Sequence, residues 1–86
     1  MNSGAWATFS KNISERELSI FEQATKNLDG VEYTPIAVST QVVAGINYKF
    51  LCNGKIVYPN TPEIAVIITI YEPLEGPAHI TEIKRI

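Results

Sequence analysis

Gln41-Val42-Val43-Ala44-Gly45-Ile46-Asn47-Tyr48-Lys49-Phe50-Leu51-Cys52 is the stretch on which the fold of this chain turns. Ile46, Tyr48, Phe50 and Cys52 share one parity while Asn47, Lys49 and Asn53 take the other, the two-residue period of a half-buried strand. Gln41 to Gly45 lies between this strand and an earlier β-like run, hence at the tip of a hairpin. Gly45 supplies the positive-φ or close-approach position that a tight turn demands, and Ala44 keeps the loop thin. Two readings of Val42 and Val43 stand side by side. Contiguous apolar side chains at an exposed tip mark a contact surface; alternatively, the two valines continue the strand into the core.

Downstream, Asn53-Gly54 predicts a bulge or bend, after which Ile56 and Tyr58 resume the same parity. Pro59-Asn60-Thr61-Pro62 reads as a loop, because two prolines in four residues remove ladder donors and disfavour helix. Ile64 to Tyr71 is rich in β-branched residues and apolar on both parities, which predicts an inner strand. Pro73-Leu74-Glu75-Gly76-Pro77 is the next turn, and His79 to Ile86 the last strand.

Upstream, Ser14 followed by Glu17 has the spacing of a capping box, with Ile13 and Leu18 placed as a hydrophobic staple. Leu18, Phe21, Ala24 or Thr25, and Leu28 recur at three- and four-residue intervals, predicting a helix over residues 15–28. Glu22 and Lys26 are spaced as a surface ion pair, and Asp29-Gly30 ends the helix. Ala5 to Phe9 is short and β-leaning, with Trp6 expected in the core against the helix. Between Gly30 and Gln41 a further strand is interrupted by Pro35, which implies an edge or a bulge. One helix on a four- or five-stranded antiparallel sheet is an α+β architecture, and 86 residues suffice for a single domain over residues 1–86.

Composition narrows the function classes. Seven Lys and Arg against nine Asp and Glu leave a formal charge of −2, without the basic clustering that a nucleic-acid or anionic-membrane partner favours. The apolar run from Ile64 to Ile70 is far short of a membrane span. The single cysteine, Cys52, cannot form an internal disulfide, and the first residues lack the basic and apolar regions of a secretory signal, so a cytoplasmic protein is expected. His79 is the only imidazole. A Cys52/His79 dyad can be written on paper, but Cys52 shares a strand face with Tyr48 and Phe50, where a thiol packs as a small hydrophobe. One His and one Cys do not make a metal site, no Gly-rich turn cradles phosphate, and no nucleophile elbow is present. The chain is expected to be neither an enzyme nor a cofactor carrier.

Gln-x-Val-x-Gly, here Gln41-Val42-Val43-Ala44-Gly45, resembles the first-hairpin motif of the cystatins. The order around it is also similar: an early Gly4, a strand, one helix ending near Gly30, a strand leading into the motif, and two further turns. The likeness spans nearly the whole chain and is greatest to the stefin branch, whose members also lack internal disulfides. It implies a helix wrapped by the sheet and a tight, reversible inhibitor of papain-like cysteine peptidases. The implied contact points are Gly4, the loop Gln41, Val42, Val43, Ala44 and Gly45, and the second hairpin at Pro73 and Leu74. Many cystatins carry Pro-Trp there; Pro73-Leu74 offers a smaller anchor, and Met1-Asn2-Ser3 adds little apolar surface beside Gly4. The protein is expected to be a monomer whose tight first hairpin can open into a domain-swapped dimer. The rival reading keeps the scaffold but makes it a non-inhibitory binding or assembly module, because fold does not settle function.

Overall fold

Ser14 stands in extended backbone (φ −70°, ψ 162°) at the start of the helix in the computed structural model, which describes residues 4–86. Its hydroxyl accepts the Glu17 N–H at 3.1 Å, and the Glu17 carboxylate accepts the Ser14 N–H at 2.9 Å. Two otherwise orphaned donors are satisfied at once, as the capping-box spacing predicts. Ser14→Ala is expected to cost about 1 kcal/mol, a fall of roughly 4–8 °C in Tm for a domain of this size. Urea unfolding checks it; an unchanged midpoint would mean that the cap does not hold the helix start.

The helix, α1, spans Glu15–Thr25, three residues less than its periodicity suggests. The Thr25 hydroxyl donates back to the Phe21 carbonyl at 2.8 Å, and the Leu28 N–H turns to the Thr25 carbonyl at 3.0 Å, a tighter i to i−3 closure that ends the α-helical ladder. The buried stripe is also rotated from the expected one. Ile20 and Phe21 are buried and Ile13 and Ala24 pack on the core, but Leu18 is 37% exposed. At about 100° per residue, Leu18 and Ile20 flank Phe21 on opposite sides, and the sheet covers the Ile20 side. Glu22 and Lys26 form no ion pair; among the described residues the ion pair is Arg16 to Glu72, at 2.8 Å.

Four strands follow, β1 (Val31–Val43), β2 (Gly45–Ile56), β3 (Ile64–Glu72) and β4 (His79–Arg85), in one antiparallel sheet ordered β1-β2-β3-β4. The inner position of β3 explains why it is apolar on both parities. Pro35 lies on the edge strand beside an irregularity between Pro35 and Ala37, where a residue without an N–H breaks no inner ladder. The bulge expected at Asn53-Gly54 is absent. Both ladders of β2 run through Gly54 without a shift, because its missing side chain makes room for others: a Cβ there would lie 3.0 Å from Ile64 and 3.2 Å from Tyr33 and Val31. β2 ends at Ile56, leaving Tyr58 exposed in the loop rather than in the strand.

The segment before the helix does not make a fifth strand. It follows the outer edge of β1 through isolated bridges, Trp6 to Gln41 and Ser10 to Val38. Trp6 is not in the core: the Lys49 ammonium sits 4.3 Å from its ring centroid, on the sheet face opposite the helix. That placement follows from the edge pairing, which lays the segment beside the outward residues of β1 and β2; the buried Ser39 hydroxyl donates to the Ala7 carbonyl there.

The core lies between α1 and the other sheet face. Phe50, Ile68, Ile70, Val66, Cys52, Tyr48 and Val38 pack under Ile20 and Phe21. Phe21 meets Phe50 edge-on with centroids 5.0 Å apart, and Tyr48 stacks on Phe50 at 5.9 Å.

Candidate functional site

Three segments distant in sequence converge at the end of the sheet where β1 turns into β2 and β3 turns toward β4. The first turn is as short as a hairpin turn can be: Val43 pairs with Gly45, and Ala44 alone forms the tip. Gly45 makes this turn with φ of 100°. It is buried, and its neighbour is the second hairpin. A Cβ built on it would lie 2.3 Å from the Glu72 carbonyl oxygen, 3.1 Å from Pro73 Cα and 3.2 Å from the Tyr71 ring. The close approach that the sequence predicts is thus internal, between the two hairpins. The Tyr71 hydroxyl adds a second tie by donating to the Ala44 carbonyl.

The amino-terminal segment is held to the first hairpin by Gln41. Its Nε2 donates to the Gly4 carbonyl at 2.7 Å, and its Oε1 accepts from Asn47 Nδ2 at 2.9 Å. The Gly4 N–H in turn donates to the Val42 carbonyl at 3.1 Å. Gln41 therefore uses its amide to clasp Gly4 rather than to face outward. Met1, Asn2 and Ser3, whose thin apolar surface was noted above, lie outside the described residues.

What remains exposed at this end is mostly apolar. Both readings of the valines hold in part: β1 extends to Val43, but Val42 is 49% exposed and Val43 half-buried. Ala44 is exposed, and Leu74 is 80% exposed at the second tip. Glu72, at the end of β3, is turned inward. One carboxylate oxygen accepts the Tyr48 hydroxyl at 2.8 Å and the other the Arg16 guanidinium at 2.8 Å. Burial, reinforced by that bond to Glu72, pushes the Tyr48 phenol up to about 12, so it stays a neutral donor. The apolar part of the tip is Val42, Val43, Ala44, Pro73 and Leu74, with the exposed Glu75 beside Leu74 in the second turn.

The Cys52/His79 dyad is not assembled. Cys52 pairs across from Val66 and His79 from Tyr71, five positions along β3 or roughly 17 Å. The two also face opposite sides of the sheet. Burial pushes the Cys52 thiol up to about 12, a packing group rather than a nucleophile. His79 stands edge-on to Tyr71 at 5.8 Å. Among the described residues no group of three or more His, Cys, Asp or Glu could hold a metal ion, and no helix is long and apolar enough to cross a membrane. A shallow hollow of about 480 Å³ at the far end of the sheet, lined by Glu32, Lys55 and Tyr58 among others, lies away from the helix–sheet interface.

Tyr71, Asn47, Glu72 and Tyr48 belong to this site although their sequence positions announce only strand. Their partners, Ala44, Gln41 and Arg16, are set by cross-strand register and helix packing. The chain matches no family model, no curated protein and no solved structure.

Proposed function

We propose that this protein has a cystatin-like fold and is a reversible, tight-binding inhibitor of papain-like cysteine peptidases. The observation that carries the reading is the convergence of Gly4, the Gln41–Gly45 loop and Pro73-Leu74 into one largely apolar end of a molecule measuring 47 × 26 × 22 Å. These are the three contact points that the resemblance implies. The mechanism is occlusion. Val42, Ala44 and Leu74 enter the cleft on either side of the peptidase thiolate and exclude substrate, while no peptide carbonyl is presented in attack geometry. The ties from Gln41 to Gly4, from Tyr71 to Ala44 and from Gly45 to the second hairpin set the tip before binding, which lowers the ordering cost of association.

Titration of papain with the purified chain tests the proposal, and variants at the two exposed tips localise the contact. Val42→Asp introduces a charge that must be desolvated in the complex and is expected to weaken inhibition by about 10- to 100-fold. Leu74→Ala removes one apolar anchor and is expected to cost about 1–2 kcal/mol of binding, roughly tenfold. Both positions are exposed, so thermal melts should change little. Undiminished peptidase activity at high micromolar excess of the wild-type chain would reject the inhibitor and leave the binding-module reading.

A further inference from the structure

We propose that the free edge of β4 pairs with the same edge of a second copy of this chain, antiparallel about a two-fold axis through Ile83. β4 is the last strand of the sheet order, and among the described residues no strand or bridge lies along its outer side. The opposite edge differs, since the amino-terminal segment bridges β1 at Gln41 and Val38.

The ladder to β3 determines which backbone groups are free. The Ile86 N–H donates to the Ala65 carbonyl at 2.9 Å, and the register runs Arg85 to Val66, Lys84 to Ile67, Ile83 to Ile68 and Glu82 to Thr69. Antiparallel pairs alternate between bonded and non-bonded. Lys84 and Glu82 therefore turn their N–H and C=O toward β3, as Ile86 does, and Ile83 and Arg85 turn theirs outward. A symmetric ladder must pair outward residues with outward residues, so its axis passes through a residue position. An axis at Glu82, Lys84 or Arg85 sets like charges directly opposite one another, which is destabilising. An axis at Thr81 passes through the extra residue of the irregularity between Glu82 and Ile80 and runs the ladder toward Pro77, which has no N–H.

The axis at Ile83 has neither fault. Ile83 exchanges both backbone bonds with the partner's Ile83, and Glu82 stands opposite the partner's Lys84 twice, in the closer non-bonded sites. Charges on an edge strand ordinarily keep other edges away; this set is complementary to itself. Ile83 shares the helix side of the sheet with Ile68 and is 43% exposed, so the pairing also covers an apolar side chain. The contact is isologous. It is short, ending at the irregularity beside Thr81, which makes the association weak and rapidly reversible. Because the paired strands are antiparallel, the two tips bearing Val42 and Leu74 point in opposite directions and stay free.

Sedimentation velocity over a concentration series reaching the high-micromolar range tests the pairing. The wild-type chain is expected to rise from 9.5 kDa toward twice that mass with concentration and to return on dilution. Glu82→Lys and Lys84→Glu, both at exposed positions, should each hold the protein at the monomer mass with unchanged thermal melts. The double variant Glu82→Lys with Lys84→Glu should dimerise as the wild type does. A wild type that stays monomeric throughout, or single charge reversals that dimerise equally well, would overturn the pairing. So would a dimer that appears only after heating and survives dilution, since that is strand exchange through the first hairpin.

Discussion

Gly45→Ala is expected to destabilise the protein by about 3–4 kcal/mol, roughly 15–25 °C in Tm, although it adds a single methyl group. Two effects add. At φ of 100° an L-residue is strained by about 1–2 kcal/mol. The new Cβ would also stand 2.3 Å from the Glu72 carbonyl oxygen, a backbone atom in a strand whose partner at that position is Ile46. The clash cannot be relieved by rotating a side chain; the two hairpins must separate, and the Tyr71 to Ala44 bond lengthens with them. Gly30→Ala separates the two effects. Gly30 has φ of 88°, but nothing lies within 4 Å of a Cβ there, so only the backbone strain applies. Equal melting temperatures for the two variants would mean that the hairpins do not rest on Gly45. A bulky or charged residue at this position disrupts the fold before it reports on binding, and Val42 and Leu74 are therefore the cleaner probes of the tip.

Phe50→Ala is expected to cost about 3–5 kcal/mol. The side chain is 0% exposed at the centre of the core. It carries the edge contact with Phe21 and the stack with Tyr48. Phe21 is one of only two buried residues of α1, so the cavity removes the main anchor between helix and sheet. Domains of this size are stable by about 4–13 kcal/mol in all, so the variant loses a large share of its stability. Chemical denaturation followed by far-ultraviolet circular dichroism measures it, with Phe50→Leu as the volume-sparing control. A loss below about 1 kcal/mol for Phe50→Ala would place the core elsewhere.

How much of this was legible before any coordinates depends on the distance over which each feature is decided. The capping box needs only residues three apart, and the alternation from Ile46 to Cys52 only residues two apart; both appear in the structure as the sequence predicts. Pro35 at an edge and the inner position of Ile64 to Tyr71 follow from the same local logic. The helix phase failed because Leu18, three residues before Phe21, and Ile20, four before Ala24, each fit a helical stripe, and only the sheet chooses between them. Trp6 failed because an aromatic residue says that it will be covered but not by what, and Lys49 is 43 positions away.

The candidate site divides along the same line. Short-range spacing and backbone chemistry determined in advance that the chain reverses within Gln41 to Gly45 and within Pro73 to Pro77 and that the first turn is tight enough to require Gly45, but left open whether Val42 and Val43 sit on the tip or continue the strand. Only the tertiary structure decided that the two turns touch, that Gly45 is buried beneath Glu72 and Pro73, and that the Gln41 amide holds Gly4. It also decided that Glu72 turns inward to Tyr48 and Arg16. Those relations join residues 24 to 56 positions apart, with Gln41 and Gly4 separated by 37. They depend on strand register and on where the helix crosses the sheet. No single side chain encodes either of these; both emerge when the chain buries one face of the sheet under the helix.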